Sequence, residues 1–416
     1  MLEPMHFGAA RMTHALHVLS LLTALAVASG LDSADIAGRP DAESWRTYLE
    51  RSERLAAADR NALLAELAAA GGVPALQAPD GDDFRPPDPT KRAWYASQEA
   101  GRLVDAVLSF QTPSGGWSKH VDYSRGPRRP CMQWTSQSAP GRPPHYQATF
   151  DNASTVRQIE FLAMAWHGMN RDACALAVNR GLRFILDAQY PNGGWPQVYP
   201  LEGGYHDAIT YNDNSMTNIL KLLKAIGDGD ERYDCVDETL RPRLAESLER
   251  GIECVLSTQV IIDGHKTVWC GQHHPLTQKP VAARIYEPPS LSGVESGQML
   301  RFLMSLEEPS PEVVVAVEAG LDWLESATVT GIRRVKADGR TIYKRDASSD
   351  EMYWARFYDL ETGRPIFPGK DGVVYDSFES MAAANDKLGY DYYSTQPGGV
   401  LTSARSKWRK RRGDGL

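Results

Sequence analysis

Several common classes of protein are excluded by what this chain lacks. Its net charge of −8 argues against a nucleic-acid partner, which would want a basic face, although a few clustered Lys and Arg could still line a local cleft. No G-x-S-x-G elbow, Walker loop, dinucleotide fingerprint or HExxH helix occurs, which removes the serine-elbow, P-loop, Rossmann and zincin chemistries. Beyond the first 28 residues no apolar run is long enough to span a membrane. There are five cysteines: Cys131, Cys174, Cys235, Cys254 and Cys270. None sits at metal-ligand spacing, and a chain of 416 residues does not need disulfide staples. Two disulfides with one thiol left over remain open, but small core hydrophobes account for them at least as well. Strand-like alternation is scarce.

What the chain does have is a leader, an extension and a repeat. Residues 1–28 read as a secretory signal: Arg11 precedes an apolar run from Ala15 to Val27, and Ala26-Val27-Ala28 suits cleavage. That predicts a secreted or periplasmic protein. Residues 29–92 form an extension. Trp45, Leu49, Leu55, Leu63 and Leu67 predict a helix over 41–70, and the Pro, Gly and Asp of 71–91 predict a linker. Residues 93–400 form the main domain, and 401–416 a basic, solvated tail.

Within the main domain, Phe110-Gln111 leads to Gly115-Gly116-Trp117, and Ala188-Gln189 leads to Gly193-Gly194-Trp195. A looser third copy runs from Gln259 to Trp269. Gly181, Gly251 and Gly320, about 70 residues apart, mark what read as helix starts. A helix, a Gly-Trp turn, a loop and a second helix cannot bury an apolar face alone. Copies must pack on one another, which predicts an all-α-dominated α/α toroid with long functional loops and few short strands.

The run Asp151-Asn152-Ala153-Ser154-Thr155 recurs sixty-two residues later as Asp213-Asn214-Ser215-Met216-Thr217. Asp is a good helix cap, so two N-caps would explain the pair. The sharper expectation is two carboxylates at sister helix mouths that share one cleft. Lys119 follows the first Gly-Trp turn. Arg284 and Glu287 lie in a Pro-braced loop, where a structural ion pair is the plainer explanation. Adjacent His273 and His274 are a weak metal signal. Tyr353 to Arg364 interleaves rings with cations, including Arg356, and Lys370 follows in a turn. Rings suit sugar faces and guanidinium suits carboxylate.

The segments Gly115 to Lys119, Phe150 to Thr155, Gln189 to Gln197, Thr210 to Met216, Arg284 to Ser290 and Trp354 to Lys370 together resemble polysaccharide lyase family 10 pectate lyases, in the same order along the chain. The resemblance covers about Ala93 to Gly389. It implies an α/α toroid, a Ca²⁺ cofactor and β-elimination on polygalacturonate. It implies that Asp151 and Asp213 hold the metal, Lys119 binds the substrate carboxylate, Arg284 is the catalytic base and Arg356 binds uronate. Trp195 and Tyr211 would be further substrate contacts. Lys370 stands where the family usually has Arg, keeping the charge but losing the fork. Arginine's high pKa would have to be lowered by desolvation and by neighbouring cations. A monomer with an oligogalacturonide partner is expected. Two rivals stay open: an inverting glycosidase that uses Asp151 and Asp213, and a binder that does not cut.

Overall fold

The protein is described by a computed structural model that covers residues 31, 33–138, 144–337 and 340–413. The leader expected at residues 1–28 lies outside the described residues. Eight helices carry the architecture: α1 Ala42–Ala69, α2 Gln98–Ser109, α3 Val156–Met169, α4 Asp172–Ala188, α5 Ser215–Gly227, α6 Arg241–Thr258, α7 Gly293–Leu303 and α8 Pro311–Ser326. Helices α3, α5 and α7 are buried on most sides and form an inner layer. Each packs on the outer helix that follows it: α4, α6 and α8. This is the expected incomplete α/α toroid.

Side chains of the repeat hold neighbouring units together. One amide closes its own turn and also ties down the next outer helix. Gln111 Nε2 donates to Gly115 O at 2.8 Å and to Ala177 O at 2.9 Å. Gln189 does the same to Gly193 O at 3.0 Å and Ser247 O at 2.9 Å. Gln259 reaches Thr267 O and Ala316 O, both at 2.9 Å. The indoles of Trp117, Trp195 and Trp269 donate to the last turns of α2, α4 and α6 at 2.8, 2.9 and 2.8 Å. The third copy therefore makes the same bonds as the first two, across a longer loop. Trp354, donating to Leu324 O of α8 at 2.7 Å, supplies a fourth such indole that sequence spacing did not reveal.

Gly181, Gly251 and Gly320 are not helix starts. They lie inside α4, α6 and α8, where a Cβ has no room. At Gly251 it would come within 2.6 Å of Leu220 and 2.9 Å of the Trp195 ring. Missing side chains there let outer helices approach the inner layer.

The extension joins the same core. Trp45 and Tyr48 of α1 pack on Tyr190, and Tyr48 Oη donates to Ala188 O at 3.2 Å. Asp59 of α1 accepts from Ser114 N at 2.7 Å and from Ser114 Oγ at 2.8 Å. Residues 71–91 wrap the surface, with Phe84 edge-on to Tyr123 and Phe161.

The C-terminal part is richer in strand than expected. Leu291–Ser292, Phe357–Tyr358, Pro365–Pro368 and Val374–Tyr375 pair antiparallel in one sheet. A hairpin of Ile332–Ala337 with Arg340–Arg345 and the helix α9, Phe378–Ala384, enclose a second small core around Tyr343, Tyr353, Phe367 and Met381. The basic tail is a docked helix, α10 Arg405–Arg411, rather than a solvated end. Its Trp408 is buried and its Arg409 pairs with Glu318 of α8 at 3.2 Å. The buried Trp408 ring and ion pairs of Arg405 and Arg409 with Glu325 and Glu318 seat it on α8. All five cysteines are free thiols.

Candidate active site

Each Trp turn positions the corner that opens the next inner helix. Trp117 O accepts from Thr149 N at 3.0 Å, and Trp195 O accepts from Thr210 N at 3.1 Å. One residue on, Phe150 N donates to Gln197 O and Tyr211 N donates to Gly271 O. Each corner is then a short 3-10 turn whose middle residue has φ 52°: Asn152 in Asp151–Ala153, Asp213 in Asn212–Asn214. The two acidic runs are therefore out of step by one. Asn212, not Asp213, stands where Asp151 stands, and Asp213 stands where Asn152 stands. Neither Asp donates a side-chain cap to α3 or α5.

Asp151 is 4 % exposed and saturated on its inner side. Oδ2 accepts from Lys119 Nζ at 2.5 Å, and Oδ1 accepts from Gln197 Nε2 at 3.0 Å. A carboxylate has about four lone-pair sites, so outward-facing capacity remains. Lys119 Nζ also lies 3.6 Å from the centroid of Tyr146, a cation over a ring face. The Tyr146 hydroxyl meets His206 Nε2 at 2.8 Å. Burial, with His145 nearby, pushes His206 down to about 4, so this imidazole is neutral.

Asp213 faces the same space. Burial raises its pKa well above the usual carboxylate range, and the neighbouring charges of Asp151 and Glu295 add to the rise. Arg356 and Arg284 pull in the opposite direction. Asn212 links these groups: its Nδ2 donates to Asp213 Oδ2, and its Oδ1 accepts from Arg356 Nη2, both at 2.8 Å. Arg356 also pairs with Glu295 of α7 at 3.2 Å. Burial disfavours the Arg356 charge, but Glu295, Tyr390 and Asp213 together hold it cationic.

Arg284 is clamped. Its Nε and Nη2 donate to the two Glu287 oxygens at 2.7 and 2.8 Å. Tyr390 Oη accepts from Arg284 Nη2 and donates to Glu287. Donating to Glu287 raises the guanidinium pKa further. The expected lowering is thus reversed, because a buried carboxylate takes two of its donors. Tyr390 also offers its face to Arg356, whose Cζ is 3.8 Å from the ring centroid.

Lys119, Asp151, Asp213, Arg284 and Arg356 thus gather in one place. Lys370 lies on its edge, with Nζ 5.7 Å from the Tyr286 ring. Trp195 and Tyr211 do not belong to it. Each is 1 % exposed. The Trp195 indole is spent on Ile185 O, and the Tyr211 hydroxyl meets Thr258 Oγ1 at 2.6 Å while its ring stacks on Trp269. They are core residues and offer no face to a sugar. Sequence reasoning gave no role to Tyr146, Asn212, Glu295 or Tyr390. Only Glu295 had a local signal, as the fourth residue of a Ser292-x-x-Glu295 capping box. His273 is buried against Cys270 N and Gln278 O and is no ligand.

Comparison with known proteins places this toroid and its acid-and-arginine cleft among the polysaccharide lyases. The model of the family described as pectic acid lyase matches residues 111–401, most of the chain, and the chain belongs to that family. Two solved structures are similar. One is the family 10 polysaccharide lyase from Cellvibrio cellulosa, at 30 % identity and TM-score 0.65, covering 78 % of this chain and 98 % of that one. The other is a variant of the Cellvibrio cellulosa enzyme in complex with trigalacturonic acid, at 29 % identity and TM-score 0.65, covering 77 % of this chain and 99 % of that one. No curated protein matches. The protein is accordingly a pectate lyase by family.

Proposed function

We propose that this enzyme cleaves polygalacturonate by calcium-assisted β-elimination, with Arg284 taking the C5 proton. One observation carries the reading: Asp151 and Asp213 from sister corners converge with Lys119, Arg284 and Arg356, and because these three cations pair with Asp151, Glu287 and Glu295, Asp213 is in no ion pair among the described residues. The residues fit Ca²⁺. Asp151 and Asp213 supply hard oxygens, burial and like charge raise the pKa of Asp213 in a way that a bound cation would relieve, and Asn214 Oδ1 is buried without a partner. Among the described residues no cluster of three or more acidic, His or Cys side chains forms a full metal shell. Substrate carboxylate and water would therefore complete the coordination. When bound, the ion supplies positive charge against a uronate carboxylate as C5 loses its proton.

The remaining work falls to side chains. Lys119 keeps free N–H donors beyond its bond to Asp151 and would bind the same carboxylate. Arg356, fixed by Asn212 and Glu295, would hold a neighbouring uronate. Lys370 would meet one at the rim. Arg284, having first given a proton to solvent, would accept the C5 proton as the C4–O4 bond breaks and C4=C5 forms, the leaving oxygen taking a proton from water. Glu287 holds Arg284 charged at rest. A uronide with its counter-cation excludes water and adds like charge, and both work against that charge. We also propose export through the leader at residues 1–28. Among the described residues no helix is long and apolar enough to cross a membrane.

The test is incubation with polygalacturonate, read by ultraviolet absorbance of the unsaturated product. Absorbance that rises with Ca²⁺ and stops with chelator is expected. Saturated products, or turnover indifferent to chelator, would overturn the calcium-lyase reading.

A further inference from the structure

Behind the Tyr390 ring lies a cavity of about 500 Å³, outside the cluster of Asp151, Asp213 and Arg284. Tyr390 forms one wall and Lys370 another, so the cavity adjoins the cleft. The far side is built from Thr341 and Tyr343 of the hairpin, Phe378 of α9, and Lys387 just beyond α9. Its charged lining groups are Lys370, Lys387, Asp386 and Asp391. Asp391 is spent: its oxygens accept from Tyr343 Oη at 2.5 Å and from Arg334 Nη2 at 3.2 Å. Lys370 and Lys387 are exposed, and neither is in an ion pair among the described residues, so they outweigh the remaining acid, Asp386. On the hairpin, Lys336 pairs in register with Thr341 and so lies on the cavity's face of the hairpin.

A polyuronide presents a carboxylate on every sugar. A chain held by Lys119 and Arg356 has to continue past them, and the cavity beside Tyr390 offers the next sugar a ring wall, a hydroxyl at Thr341 and two unpaired cations. We propose that this cavity is a distal uronide subsite centred on Lys387, which lengthens the recognised chain beyond the reacting sugars. It rests on the polygalacturonate reading above. The site favours longer over shorter oligogalacturonides and does not touch the bond that breaks. Arg334 acts on it indirectly, by pairing with Asp391 at 3.2 Å.

The probe is binding of tri- and hexagalacturonate to the whole protein with Ca²⁺, measured by calorimetry beside lyase turnover, for wild type, Lys387→Ala and Lys387→Glu. Wild type should bind the hexamer several-fold more tightly than the trimer. Lys387→Ala should shrink that ratio about two- to fivefold, as loss of one exposed charge contact implies, and Lys387→Glu should shrink it further. Equal loss for both lengths, or no loss for either, would overturn the subsite. A length effect that survives in a wild type with no unsaturated product would keep the subsite and sink the lyase reading instead. Unchanged circular dichroism of both variants separates these results from misfolding.

Discussion

Glu287→Gln is the most revealing single substitution. In the resting molecule Glu287 takes two donors of Arg284 and sits 2.7 Å from its Nε. Two unit charges at that separation attract by about 6 kcal/mol at an effective dielectric of 20. Arg284 is 40 % exposed, so water screens much of this. A net effect of about 1.5 to 3 kcal/mol is reasonable, or about one to two pH units. Because Glu287 raises the guanidinium pKa, removing its charge lowers that pKa, and a larger neutral fraction exists at any given pH. The rising limb of the kcat/KM profile should move down by one to two pH units. Glutamine keeps only one acceptor, so orientation suffers and peak rate should fall about ten- to a hundredfold. The assay is initial lyase rate from pH 6 to 11 at saturating Ca²⁺. An unmoved limb, in a folded variant that still binds oligogalacturonate, would refute the idea that Glu287 sets the basicity of Arg284.

Three other outcomes follow from the geometry. Tyr390→Phe keeps the ring under Arg356 but drops the hydroxyl shared by Arg284 and Glu287, so kcat should fall about tenfold with KM within about twofold; a rise in KM alone would contradict this. Burial raises Asp59 to about 6, despite its bonds from Ser114. The folded state therefore holds this proton more tightly than the unfolded chain, so Asp59 makes stability fall as pH rises from about 4 to about 6, by about 3 kcal/mol in total. Asp59→Asn should flatten that slope in urea titrations, and an unchanged slope would refute the assignment. Trp195→Ala should cost about 3 to 5 kcal/mol of stability, with no selective rise in KM at temperatures where the variant stays folded.

The toroid was legible because its signals are local and repeated: Gln at a helix end, Gly-Trp four to six residues on, and a Gly inside the next outer helix. The site was half legible. Thr210-Tyr211-Asn212-Asp213-Asn214 contains both N-D and D-N, and only backbone hydrogen bonds decide which pair matches Asp151-Asn152. Trp195 and Tyr211 flank those corners, so their proximity to the site was real. Their rings turn inward because the indole and phenol find buried acceptors there. The Arg284–Glu287 pair could be read from i,i+3 spacing, whereas Tyr390 lies 106 residues away and carries no local signal. The tail misled because six basic residues masked one Trp.

Arg284→Lys tests the central claim most directly, measured as lyase rate from pH 6 to 11 with Ca²⁺ beside oligogalacturonate binding. Lysine keeps a positive charge but cannot hold Glu287 with two donors and face substrate with a third planar one. The account predicts binding within about tenfold of wild type and a rate loss of about a thousandfold or more at every pH. Near-normal turnover at any pH would mean that another group removes the C5 proton.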